Sequence, residues 1–354
     1  MGQEIKPAVR TARRSAKGPT VADVARLAGV SAMTVSRVIN NEGNVLPETR
    51  ERVEAAIAAT GYVPNPAARS LASGRQRRIA LLHANPSAAY LSEFLVGSLA
   101  EASACDAQLL VEHCSESEPT AALVARLRSH NIDAALLPPP LADDGALLAA
   151  LKAEGILMAQ VATGLPASFA HAVSIDDEGA AMDITRRFIA AGHRRIGFIA
   201  GNTNQTASAL RRAGYERALT EAGIAIDGDL IAQGDFTYRS GLDAAAKLLA
   251  LPQRPTAVFA SNDDMAAATV TAAHRAGLEV PRELSICGFD DTAIATTVWP
   301  ELTTVRQPIA DMARRATRLL VEAIDAGAAA TAPRHELLKF TYIERGSTAP
   351  PAGV

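Results

Sequence analysis

The chain has 354 residues and a mass of 36.9 kDa, too long for one ordinary domain and long enough for two or three. An apolar fraction of 48%, a charged fraction of 21% and a mean hydropathy of +0.08 describe a soluble globular protein, and a net charge of −3 taken whole argues against a polyanionic partner. No run of eighteen apolar residues is available to span a membrane.

The basic start MGQEIKPAVRTARRSAKGP lacks the apolar stretch of a secretory signal, and Lys6 stands where a myristoylation motif wants Ser or Thr. Cys105, Cys114 and Cys287 form an odd, unpatterned set, which fits a reducing cytoplasm. The charge, however, is unevenly placed. Residues 1–78 hold 13 Lys or Arg against 6 Asp or Glu, a balance of +7, which leaves −10 on the remainder. Such asymmetry suggests a small polyanion-binding module on an acidic body. A basic tail on an ordinary enzyme is the alternative.

Residues 1–18 carry no apolar periodicity and read as a disordered tail. Thr20 is a possible N-cap before the stripe Val21, Val24, Ala25, Ala28, with Asp23 placed three residues on. Gly29 ends that helix. Ser31 can cap a second helix with Val35, Val38 and Ile39 inward, and Pro47 opens a third with Val53, Ala56 and Ile57 inward and Gly61 beyond its end. Short helices joined by Ala28-Gly29-Val30, with a third behind them, make a helix-turn-helix bundle.

In that motif the start of the second helix meets base edges in the major groove of double-stranded DNA. The candidates are Ala32, Met33, Thr34, Ser36 and Arg37. Arg37 suits a guanine or a phosphate, and Met33 either a thymine methyl or the headpiece core. Thr20, Ser31, Asn40 and Arg50 are candidate phosphate contacts, and Asn65 completes the candidate DNA-contact set. Pro66 can start a helix through Leu71 that is too short to be stable alone. Leu71 then serves either as a minor-groove wedge or in interdomain packing.

In the body, apolar runs at 79–82, 107–111 and 134–137, then at 195–200, 257–260 and 284–289, alternate with helix-length stretches. Two parallel doubly wound lobes follow.

The stretch TVADVARLAGVSAMTVSRVINNEGNVLPETRERVEAAIAATGYVPNPAARSLASG resembles the headpiece and hinge helix of the lactose repressor–galactose repressor family, and the likeness extends to about residue 346. The resemblance implies an all-α helix-turn-helix headpiece plus an α/β body of two doubly wound lobes, periplasmic-binding-protein-like, type I. The expected divisions are a tail over 1–18, a helix-turn-helix domain over 19–64 and a hinge helix and linker over 65–78. An effector-binding and dimerisation domain follows over 79–346, then a tail over 347–354. Its N-lobe is expected at about 79–175 and 306–333, its C-lobe at about 176–305 and 334–346.

Ligands of such sheets lie beyond the carboxyl ends of strands. The resemblance maps effector contacts onto Arg211, Asn262, Asp290 and the aromatic Phe236, a set that suits a sugar. A structural ion pair is the other reading of Arg211. Asp263 and Asp264 read as a helix N-cap and solvent contacts. On the first-lobe side His83, Asn85, Ser87, Tyr90 and Glu93 follow the first strand, and Asp176 sits at a lobe crossover. Trp299 either stacks on ligand or packs at the hinge, and Gln307 adjoins the last crossover.

Motifs of common enzymes (G-x-S-x-G, the P-loop, G-x-G-x-x-G, H-E-x-x-H) are absent, and no cofactor or metal is expected. The resulting expectation is a cytoplasmic homodimer that binds a pseudo-palindromic DNA operator. A small sugar or sugar derivative would alter its operator affinity, in a repressor of carbohydrate-catabolism genes. A periplasmic-type sugar-binding transport protein and a corepressor-dependent regulator with a purine-like or other non-sugar ligand are the alternatives. The C-terminal ERGSTAPPAGV has no leucine heptads, so a dimer without a tetramerising tail is expected.

Overall fold

The computed structural model describes residues 19–39, 45–62, 76–84, 87–115, 117–327 and 332–352. The chain divides into two units, residues 1–76 and 77–354. In the first, helices α1 (Val21–Ala28), α2 (Ala32–Ile39) and α3 (Pro47–Thr60) enclose a core of Val24, Ala25, Ala28, Val35, Val38, Val53 and Ala56. Thr20 and Asp23 close a reciprocal capping box at the start of α1. Gly29 ends it at φ +64, the left-handed conformation the turn requires. Ser31 accepts from the Thr34 N–H at 3.1 Å and so caps α2. From α3, the Arg52 guanidinium donates to the Ala28 carbonyl at 2.7 Å and fastens the turn.

The second unit holds two parallel sheets. In chain order its first lobe has β1 (Arg77–His83), α4 (Ala88–Ala104), β2 (Ala107–His113), α5 (Thr120–Ser129), β3 (Ala134–Leu137), α6 (Gly145–Ala153), β4 (Leu157–Val161) and β5 (His171–Ser174). The second lobe has α7 (Asp177–Ala190), β6 (Ile196–Ala200), α8 (Thr206–Glu221), β7 (Ile231–Gln233), α9 (Tyr238–Leu249), β8 (Ala257–Ala260), α10 (Asp263–Arg275), β9 (Ser285–Cys287) and α11 (Ile294–Thr297). The chain then returns through β10 (Thr304–Arg306), α12 (Ile309–Ala326), β11 (His335–Leu337) and β12 (Thr341–Ile343). The sheet orders are β11-β5-β4-β3-β1-β2 and β7-β6-β8-β9, and β10 pairs antiparallel with β12 between them.

These strands are continuous apolar runs because both sheet faces are covered. Alternate residues serve opposite layers: Phe198, Phe259 and Cys287 face α7 and α8, while Ile199, Val258 and Ile286 face α9 and α10. In the first lobe α4 and α12 pack closely. A Cβ on Gly97 would stand 2.1 Å from the Ala310 carbonyl oxygen. Among the described residues no helix is long and apolar enough to cross a membrane.

Two expected boundaries are corrected. Residues 335–337, assigned to the C-lobe by sequence, form the edge strand β11 of the first-lobe sheet in register with β5, His335 opposite Ala172. The third crossing therefore lies between Leu337 and Thr341. The expected tail at 347–354 is also partly structural. Ser347 is fully buried and accepts from the Thr303 N–H at 2.8 Å, and the Ala349 carbonyl accepts from Ser285 Oγ at 2.8 Å. Apolar periodicity cannot report these ties, which are made by hydroxyls.

Candidate functional site

On the headpiece, capping orients α2 with Ala32, Met33 and Arg37 exposed and Thr34 and Ser36 half-buried. Met33 is 66% exposed, so its packing reading is set aside. The Thr20 and Ser31 hydroxyls serve as caps, and Arg50 is half-buried on α3. Asn40, Asn65 and Leu71, with the hinge helix and the tail over 1–18, lie outside the described residues, as does Asn85 in the body.

The body's cleft is lined from the first lobe by Ser87, Tyr90, Pro139 and Ala162, and from the second by Gln205, Ala207, Arg211, Phe236, Asn262 and Asp290, with Gln307 at the crossover. Its empty volume is ≈ 360 Å³, open solvent included. Buried Arg211 donates from Nε to Asp177 Oδ1 at 2.8 Å and from Nη1 to the Ser261 carbonyl at 2.6 Å, and its guanidinium lies 3.7 Å from the Phe289 ring centroid. The ion-pair reading of Arg211 is thus present, within the cleft wall. Asn262 caps α10, accepting from Met265 N–H at 2.9 Å, and its amide donates to the Phe236 carbonyl at 2.9 Å. Gln307 Nε2 donates to Asp290 Oδ1 at 2.6 Å.

Among the described residues two buried polar atoms of the cleft lining have no partner: the Tyr90 hydroxyl and Gln307 Oε1. Buried polar groups are nearly always satisfied, so orphans in a cleft mark where a ligand bonds. Backbone strain gathers here too. Ala162, Phe236 and Asp290 adopt φ of +56°, +71° and +114°, each costing about 1–3 kcal/mol unless the surroundings enforce it. Gly201 is enforced by the aromatic, since a Cβ there would fall 2.0 Å from Phe236 Cζ.

Burial pushes the Asp290 carboxyl up to about 7, with Arg211 and Gln307 pulling it back. Burial also raises Asp177, Asp263 and Asp264. Among the described residues no group of three or more His, Cys, Asp or Glu is placed to hold a metal ion.

Among the described residues polar latches join the lobes across the cleft at Thr206 and at Asp264, and the Thr206 hydroxyl also accepts from the Gly164 N–H at 2.6 Å. Asp143, in the turn after β3, accepts from the Thr206 N–H at 2.8 Å and from its hydroxyl at 2.9 Å. It thereby caps α8 from the opposite lobe, where Gln205 at the N-cap position makes no side-chain bond. The Ser87 hydroxyl donates to Asp264 Oδ2 at 2.6 Å.

Several expected residues fall elsewhere. Exposed Asp176 accepts from the Gly179 N–H as the cap of α7, and its neighbour Asp177 turns inward instead. Trp299 is 80% exposed, on neither the ligand side nor a packed hinge. Asp263 and Asp264 are not solvent contacts: Asp263 accepts from Thr292 N–H and Thr304 Oγ1, and Asp264 is the Ser87 latch. His83 and Glu93 do not line the cleft. Pro139, Ala162, Gln205 and Ala207 were missed, although all four follow strand ends, the signal that found Asn262 and Asp290.

Comparison with known proteins agrees with both units. The family described as bacterial regulatory proteins, lacI family, matches residues 20–65, and a periplasmic binding protein-like domain matches 185–348. The chain is 34% identical over 340 residues to the HTH-type transcriptional repressor CytR of Escherichia coli, covering 95% of this chain and 98% of that one. Against the HTH-type transcriptional regulator CelR of Thermobifida fusca the figures are 36% over 313 residues, 86% and 92%. The solved lac repressor dimer bound to operator and the anti-inducer ONPF superposes with a TM-score of 0.74 at 27% identity, covering 94% of this chain and all of that one. A transcriptional regulator CelR–cellobiose complex gives 0.72 at 33%, covering 93% and 99%. With a capped helix-turn-helix ahead of a two-lobed α/β body, and relatives matched over nearly their whole length, the chain belongs to the lacI family of bacterial DNA-binding transcriptional regulators.

Proposed function

We propose that this regulator is a homodimeric repressor of carbohydrate-catabolism genes whose affinity for a pseudo-palindromic operator is set by a small sugar-type effector in the interlobe cleft. The observation that carries the reading is the pair of orphaned atoms, Tyr90 Oη and Gln307 Oε1, beside Asp290 and the Phe236 ring. Hydroxyls satisfy the polar atoms and a C–H face satisfies the ring, a combination a pyranose supplies. Asn262 and Arg211 hold this wall in shape, Asn262 through the Phe236 carbonyl and Arg211 through Asp177 and Ser261. The cellobiose named in the CelR complex supports a carbohydrate of that kind.

Ala32, Met33, Thr34, Ser36 and Arg37 face bases, while Thr20, Ser31 and Arg50 set register on phosphates. Effector and operator are linked reciprocally, with a coupling of about 1–3 kcal/mol. The test is fluorescence anisotropy of an operator selected from random sequence, titrated with protein and then with sugars. A sugar that shifts operator affinity supports the reading; a panel of mono- and disaccharides without effect refutes it. In the same assay Arg37→Ala should cost about 1–3 kcal/mol of specific binding and relax preference at one base pair. A uniform loss across sequences would assign Arg37 to phosphate.

A further inference from the structure

The charges around the cleft say what sort of effector it takes. Among the described residues Arg211 is the one Lys or Arg side chain lining it, and its guanidinium is partly committed: Nε to Asp177, Nη1 to the Ser261 carbonyl, one face to Phe289. Against that single cation stands Asp290 in the lining, and behind it lie Asp177, Asp263 and Asp264, whose carboxyls burial draws toward the neutral form. Asp263 is held only by threonine donors, and the nearest approach of Arg211 to Asp290 is 3.9 Å.

Helix N-termini commonly hold phosphates and carboxylates. Here the second-lobe helices that begin beside cleft-lining residues have theirs occupied by the protein, α9 by its own Thr237 hydroxyl. Asp143 caps α8, and Asn262 caps α10 with Asp263 and Asp264 in its first turn. Among the described residues that line the cleft, the buried atoms left without partners are neutral, the Tyr90 hydroxyl and the Gln307 carbonyl oxygen, and the second can only accept.

We propose that the cleft admits neutral and amino-substituted polyhydroxy ligands and excludes their phosphorylated and carboxylated forms. This rests on the carbohydrate reading above and narrows it. A second anion within about 5 Å of ionised Asp290, with the opposing charge of Arg211 further off and partly spent on Asp177, would bind about tenfold or more less tightly than its neutral isostere. Burial raises the Asp290 carboxyl to about 7, so it is ionised at pH 8.

The experiment is calorimetric titration of the full-length chain at pH 8 with matched sets. One set is D-glucose, D-glucosamine, D-glucuronate and D-glucose 6-phosphate; the others are the corresponding galactose, ribose and cellobiose series. Within any set that binds, the anionic members should be weaker than the neutral parent by at least about tenfold. Asp290→Asn keeps an acceptor for Gln307 and removes the charge, so it should narrow that gap. An anionic member binding as tightly as its neutral parent overturns the proposal while leaving the carbohydrate reading intact. An undiminished gap in Asp290→Asn overturns the assignment of the exclusion to Asp290. Silence from every member of every set removes the carbohydrate reading, and this proposal with it.

Discussion

The two lobes bring different kinds of surface to the cleft. The second-lobe wall is tied to itself: Arg211 to Asp177 and Ser261, Asn262 to Phe236, and Asp290 to Gln307 at the crossover. The first-lobe wall offers Tyr90 with an unbonded hydroxyl, and its other polar groups, Ser87 and the nearby Asp143, are spent on reaching the second lobe. One wall is thus preorganised and the other is held in place by latches. A ligand that parts the lobes must exchange latch bonds for its own, which gives it a differential grip on two arrangements of the body.

The comparison can be broken most severely at Asp177. Asp177→Ala takes the hydrogen-bonded carboxylate from the buried Arg211 guanidinium, leaving Asp290 at 3.9 Å, and should cost about 3 kcal/mol of unfolding free energy in denaturant titration. A loss below about 1 kcal/mol would mean that the second-lobe wall does not depend on this pair.

Next comes Asp290. Its carboxyl is raised to about 7, against 3.8 for an unperturbed Asp, so the native state holds the proton more tightly. The stability this gives is complete below the unfolded value and is lost as pH rises toward 7. Asp290→Asn, which cannot ionise, should therefore gain on the wild type between pH 4 and 7, by about 2–3 kcal/mol more at pH 8 than at pH 5. Thermal unfolding across that range with parallel curves would show that Asp290 is not desolvated.

On the latched side, Asp143→Ala removes the cap that α8 borrows and should cost about 1 kcal/mol. Small-angle scattering should show a larger average separation of the lobes. Smallest in stability is Tyr90→Phe, expected within about 0.5 kcal/mol of wild type because the lost hydroxyl had no partner. Its sugar affinity should nonetheless fall severalfold, and an unchanged affinity would place the ligand elsewhere.

Much of this was legible in the residues, and where it was not the reason is specific. The apolar runs at β1, β3, β6 and β8 announced themselves because they are buried on both faces. His335-Glu336-Leu337 did not, since an edge strand of three residues carries no pattern and only pairing with β5 identifies it. In Asp176-Asp177, composition cannot say which carboxylate caps the helix and which turns inward; the helix start decides, and it falls one residue later than the sequence reading placed the ligand. The same one-residue question separates Asn262 from Asp263. Strand-end reasoning reached the segments around Asn262 and Asp290, because topology fixes that edge of a parallel sheet, and the family resemblance singled out Arg211, Asn262 and Asp290 themselves. The Asp143–Thr206 contact spans 63 positions, beyond the reach of any local pattern.

One apolar cluster runs without interruption from Ile79 and Val173 in the first lobe through Val305 and Ile309 to Phe198, Phe259 and Phe289 in the second. Each lobe has one core layer of its own, yet the inner layer is common to both. Heating should therefore melt the body in a single endotherm rather than two, and a bound sugar, though it touches only the surfaces that face each other, should carry the melting of the whole body upward together.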